Sequence, residues 1–243
     1  MVRIRGLVLA LLLLPAVAGQ SAAQLNIDGL ENAVGRNALA QLKKSAAECH
    51  SNFLSTLNTT LFSALRSRGL ISTAPEVFVF NMRQLNAFAI PSGKIIVTPP
   101  LLAAMQSSDE YTGVLFHELG HVVLGHIQKK IMFEAVRSMM FSGDFARASS
   151  VLLTLSYSRG QEAEADEFAA KAMAAIGHSP INVGAALLRI SNDASLKAKS
   201  DILSTHPLTI ERVKMLKEYG RTLKLAEPAV ALPQWRSIDL TCR

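Results

Sequence analysis

The sequence predicts a mainly helical α+β fold in which a small β-sheet packs on a central helix. Three observations predict it. Apolar residues recur at helical spacing over most of the 243 residues. Only two runs rich in β-branched and aromatic residues, 76–80 and 94–98, read as strands, and everything after residue 107 reads as helix. Hydrophobic residues make up 49% and charged residues 18%, which is globular composition. With 14 Gly, 9 Pro and 2 Cys, collagen-like and disulfide-scaffold classes are excluded, and no sustained heptad supports a coiled coil.

At the N-terminus, Arg3 and Arg5 precede an apolar run from Gly6 to Leu14, then Pro15 and the small-residue stretches 16–18 and 21–23. This pattern predicts a signal peptide over residues 1–23 and an exported domain over 24–243. The run is about half of the ~20 residues a membrane span needs, and no later segment is long enough either. The mature chain is therefore expected to have no transmembrane segment. The formal charge of +6 is scattered, with Lys43-Lys44, Arg66 with Arg68, and Lys129-Lys130 the densest groups, so no nucleic-acid partner is expected. In an exported chain, Cys49 and Cys242 predict a disulfide that ties the two ends together.

Between Leu30 and Leu65, Leu39, Leu42, Ala46, Phe53 and Leu57 stand at near-helical spacing, predicting a long helix or helical pair that ends at Gly69. The two strands follow, joined through a Pro91-Ser92-Gly93 turn and stopped by Pro99-Pro100. Ser107 with Glu110 forms a capping box that opens a helix through Val114 to His126. Further helices are expected over 127–141, 144–157, 161–175 and 181–190, and a last one starting at Pro207 and closed by Gly220. No internal repeat or long linker divides the chain, so a single domain is expected.

The strongest chemical signal is His117-Glu118-Leu119-Gly120-His121 inside a predicted helix. Residues four apart share a helix face, so two imidazoles can reach one metal ion while Glu118 flanks a water. A catalytic zinc site needs a third protein ligand. On a continuous helix His126 projects to the far face from His117, which leaves it as a surface or capping histidine. Glu162 is the better donor, on a second helix with Asp166 on the same face. Taken alone, that acidic pair is equally compatible with surface groups at a helix start.

Four segments in order resemble the HtpX, BepA and LoiP type of zinc metallopeptidases, relatives of the CAAX prenyl endopeptidases. They are Asn86 to Gly93, His117 to His126, Ser158-Arg159 with Glu162 to Asp166, and Ser204 to Leu208 with Arg212. The resemblance implies a zincin-like metalloprotease fold and one Zn²⁺ held by His117, His121 and Glu162. Asp166 would be an outer partner, and Asn86, Ala87, Phe88 and Ala89 the edge strand along which a substrate peptide lies. It further implies zinc-dependent cleavage of unfolded or misassembled envelope proteins in the bacterial periplasm. Neither the membrane helices of some relatives nor the helical-repeat domain of others is expected in this chain.

Glu118 is expected to act as general base. His206 and Arg212 are candidates to stabilise the oxyanion. His206 has two other readings: a latch on the metal's fourth position, or a helix cap. The competing function is a chaperone-like binder of extended peptides whose zinc site is latched and rarely active.

Overall fold

The computed structural model describes residues 17–141, 156–228, 230–235 and 238–243, with side chains from residue 29 onward except 134–141. The expected signal peptide falls largely outside this range. So does the helix expected over 144–157, of which only Ser156 and Tyr157 are described, and these are not helical.

A long helix α1 (Val17–Ser45) leads into strand β1 (Glu48–His50) and helix α2 (Asn52–Ser67). The expected helical pair thus forms with a strand between its members. Ser51 caps α2, its hydroxyl accepting from Leu54 N at 3.4 Å. Strands β2 (Glu76–Phe80), β3 (Ala87–Ile90) and β4 (Lys94–Val97) follow, then α3 (Pro99–Ala104), so Pro99-Pro100 both stops a strand and starts a helix. The remaining helices are α4 (Ser108–Val123), α5 (His126–Phe141), α6 (Arg159–Ala175), α7 (Asn182–Asn192), α8 (Ala194–Lys197), α9 (Ile202–Thr205) and α10 (Ile210–Thr222). A terminal strand β5 (Thr241–Cys242) ends the chain.

The sheet order is β3-β4-β2-β1-β5, with β2 and β4 parallel and the other pairs antiparallel. Its three longest strands are apolar throughout their inner parts because both faces are covered. Side chains alternate accordingly. Val79, Ala87, Ala89, Ile95 and Val97 pack with α2, α4, α6 and α7 in the larger core. Phe80, Phe88, Ile90 and Ile96 turn to the opposite face, where Ala38 and Leu42 of α1 cover them. Cys49 and Cys242 face each other across β1 and β5 and form the expected disulfide.

Several expected boundaries are corrected. Ser107 Oγ accepts from Glu110 N at 3.1 Å, but the Glu110 carboxylate reaches Gln106 N at 2.8 Å and pairs with Arg189, so only half of the capping box forms. Helix α4 stops at Val123, where Gly125 takes φ +66°, and does not run to His126. The last helix starts three residues after Pro207, capped by Thr209 Oγ1 on Arg212 N at 3.3 Å. Gly220 lies inside it, close to Ile181. Among the described residues no helix is long and apolar enough to cross a membrane.

Candidate metal centre

Helix α4 is the spine of the site and is buried almost throughout. It carries His117, Glu118 and His121 on the side that meets α6. The two helices approach closely because Gly120 lies against Ala165, where a Cβ would stand 3.0 Å from the Ala165 Cα and O. A complete capping box starts α6: Ser158 Oγ accepts from Gln161 N at 3.3 Å, and Gln161 Oε1 accepts from Ser158 N at 3.1 Å. That box sets the register of the first turn, so Glu162 and Asp166, one turn apart, both face α4.

Four donor groups converge: His117, His121, Glu162 and His206, all buried and with ligand atoms within 4.8 Å of one another. His121 Nε2 lies 3.2 Å from His117 Nε2, and each is 3.4 Å from a Glu162 oxygen. His206, at the C-terminal end of α9, brings Nδ1 to 3.0 Å from Glu162 Oε1 and 3.2 Å from His117 Nε2. Its Nε2 is 3.2 Å from Glu118 Oε1. In this arrangement of two acids and three imidazoles, Glu118 Oε1 meets His206, while the buried Glu118 Oε2 has no side-chain partner among the described residues. Buried polar atoms are rarely left this way unless something else fills the site.

The titratable groups of the cluster shift one another strongly. Burial works against Glu162 ionising, yet His117, His121 and His206 hold it far below the usual carboxylate range. Burial opposes a charged His117, but the Asp166 and Glu162 carboxylates outweigh it and raise the ring to about 10. Burial drives His121 down to about 2, so it is a neutral imidazole, the form that binds metals. Burial likewise pushes Glu118 up, with His206 and His117 pulling it back. The donor set of nitrogens and one carboxylate fits a borderline divalent metal ion.

Asp166 and Arg212 stand behind this cluster. Asp166 Oδ1 is 2.9 Å from His117 Nδ1, opposite the ring nitrogen that faces the other donors. Arg212 is buried and grips Asp166 with Nε at 2.6 Å and Nη2 at 2.8 Å, while Nη1 reaches Glu162 Oε2 at 2.7 Å and donates to Pro207 O at 2.9 Å. With Nε and both Nη engaged, Arg212 orients two carboxylates.

Strand β3 is an end strand of the sheet. Asn86 O accepts from Thr98 N at 3.1 Å, so Asn86, Phe88 and Ile90 turn their main chain toward β4. By alternation Leu85, Ala87 and Ala89 turn theirs to the outer edge. Leu85 is paired there with the 199–202 segment. Ala89 N–H is among the groups that stabilise the Glu118 carboxylate, so this edge passes the site. Asn86 is buried, and its Oδ1 has no partner among the described residues.

His126 is not a surface histidine. The turn at Gly125 ends α4 and folds the His126 ring back, fully buried, with Nδ1 2.9 Å from His121 Nδ1 and Nε2 2.9 Å from Glu164 Oε2. Tyr157 stacks on His121 with ring centroids 3.6 Å apart. Sequence reasoning missed His126, Glu164 and Tyr157. The glycine before His126 was the available signal for the first, since Gly marks helix C-termini.

The peptidase family M48 model matches residues 55–220. The mitochondrial metalloendopeptidase OMA1 of Arabidopsis thaliana is 34% identical over 149 residues, covering 58% of this chain and 30% of the relative. Metalloprotease LoiP of Escherichia coli K12 is 26% identical over 191 residues, covering 72% and 74%. The beta-barrel assembly-enhancing protease of Yersinia pestis is 25% identical over 244 residues, covering 90% and 50%. The chain thus spans between 30% and 74% of the length of these relatives. The matched region runs from within α2 to within α10 and contains every residue of the cluster, and the chain belongs to peptidase family M48.

Proposed function

We propose that the chain is a zinc-dependent metalloendopeptidase, exported to the bacterial periplasm, that hydrolyses peptide bonds in unfolded or misassembled cell-envelope proteins. The observation that carries this reading is Glu118: a fully buried carboxylate one residue from His117, beside the four-donor cluster and 3.2 Å from His206 Nε2. A purely structural metal site has no use for such a base. The envelope setting is supported by LoiP and by the beta-barrel assembly-enhancing proteases among the relatives.

His117, His121 and Glu162 would hold the zinc, which when bound polarises the scissile carbonyl and acidifies a water. Glu118 takes the proton from the attacking water and delivers it to the leaving amine. Asp166 keeps a proton on His117 Nδ1 and so leaves Nε2 free to bind, and Arg212 fixes Asp166 and Glu162. An extended substrate adds to the outer edge of β3 through Ala87 and Ala89, with Asn86 and Phe88 in the strand behind, and gains main-chain hydrogen bonds whatever its sequence.

His206 serves as a latch in this reading, which its contacts to Glu162 and His117 support. The chaperone-like alternative is not favoured, because peptide capture alone needs neither Glu118 nor the cluster. The test is degradation of unfolded casein by wild type, Glu118→Gln and His206→Ala, with metal content measured on each. Cleavage should fall by about 10²–10⁴ in Glu118→Gln, and His206→Ala should cleave faster than wild type. A large fall in His206→Ala with zinc retained would make His206 a transition-state donor instead.

A further inference from the structure

The two α4 histidines are supported differently. His117 Nδ1 faces the Asp166 carboxylate directly. His121 Nδ1 faces a second imidazole, His126 Nδ1, at 2.9 Å, and the far nitrogen of that ring meets the Glu164 carboxylate at 2.9 Å. His126 is fully buried, whereas the Glu164 side chain is 59% exposed. The link therefore runs from the metal cluster out to solvent.

The proton count along this line has one solution compatible with metal binding. A carboxylate only accepts, so Glu164 requires the hydrogen of neutral His126 to sit on Nε2. His126 Nδ1 then holds a lone pair and accepts from His121 Nδ1–H. His121 Nε2 is in turn left with a lone pair, and Nε2 is the nitrogen that points at His117 and Glu162. The opposite polarity would put a hydrogen on His121 Nε2, inside the cluster.

We propose that His126 and Glu164 are positioning residues that fix the tautomer and orientation of His121 as a metal ligand. The assignment rests on the proposed zinc site but not on peptidase activity. The backbone makes it possible: Gly125, at φ +66°, breaks the helix just after His121 and returns the next side chain to the ring it must support. Outer partners of this kind typically change metal affinity by about 10–100-fold.

The test measures zinc dissociation constants by chelator competition, with the unfolding midpoint of the metal-free protein recorded alongside. Glu164→Ala is the cleaner variant, because an exposed side chain can be removed with little effect on the fold. It should weaken zinc about tenfold with the midpoint unchanged. His126→Leu removes the acceptor and should weaken zinc more, about 10–100-fold, while His126→Gln, whose side-chain carbonyl can accept from His121 Nδ1–H, should recover part of the loss. If Glu164→Ala and His126→Leu both bind zinc as wild type does, or if affinity falls only in step with the unfolding midpoint, the proposal is overturned. Zinc binding that follows the predicted order without casein cleavage would sustain this inference and refute the proposed function.

Discussion

Replacing Gly120 with Ala should damage the metal site more than the fold. A Cβ at Gly120 would stand 3.0 Å from the Ala165 Cα and O and 3.3 Å from Phe168 Cδ1, against 3.4–4 Å for ordinary contact. Helix α6 must therefore withdraw by a few tenths of an ångström. Glu162 lies three residues before Ala165 on the same helix and moves with it. Zinc tolerates about ±0.2 Å in ligand distance, so a shift of that size matters to the site. For the fold, overpacking costs about 1–3 kcal/mol. Ala in place of Gly inside a helix returns about 1 kcal/mol. The metal-free protein should thus lose about 0–2 kcal/mol. Zinc affinity should fall at least tenfold, about 1.4 kcal/mol. Chelator competition and denaturant unfolding of the metal-free chain measure the two terms. Gly160→Ala, in the first turn of α6 with only Ser158 Oγ nearby at 3.9 Å, is the control that should leave affinity alone. Wild-type affinity within twofold in Gly120→Ala would refute the close-approach argument.

Replacing Cys49 and Cys242 together with Ala opens a loop of sequence separation 193, worth about 5 kcal/mol by chain entropy. Denaturant midpoints should show a loss of that order, and a change under about 1 kcal/mol would contradict it. Arg212→Met leaves Asp166 and Glu162 as buried carboxylates without their guanidinium, an error of about 3–5 kcal/mol in the fold, read by thermal unfolding with and without zinc. Ser158→Ala removes the α6 cap and should cost about 1 kcal/mol, with zinc affinity falling alongside because Glu162 sits in that first turn.

Much of this site was legible in the sequence because its chemistry follows local spacing. His117 and His121 share a face of α4, and Glu162 and Asp166 share a face of α6, once the two helices are recognised from their periodicity and the Ser158 start signal. What was not legible depends on distant pairing or on a local break. Strands β1 and β5 have three and two residues, and β1 carries polar Glu48 and His50, so no periodic signal marks them; cross-strand pairing and the Cys49–Cys242 bond define them. His126 was misplaced by extending α4 through Gly125, where the positive φ reverses the direction of the next side chain. The contacts of Arg212 to Asp166 and Glu162 join segments far apart in the chain, which spacing cannot show. Pro207 looked like a helix start, but Thr209 supplies the hydroxyl that caps α10.

The account turns on Glu118 as a base beside a bound metal, and the most direct measurement is Glu118→Gln assayed for zinc content and casein cleavage in the same preparation. About one zinc per chain with cleavage reduced by about 10²–10⁴ is the predicted result. Cleavage at the wild-type rate with zinc bound, or loss of zinc together with activity, would contradict it.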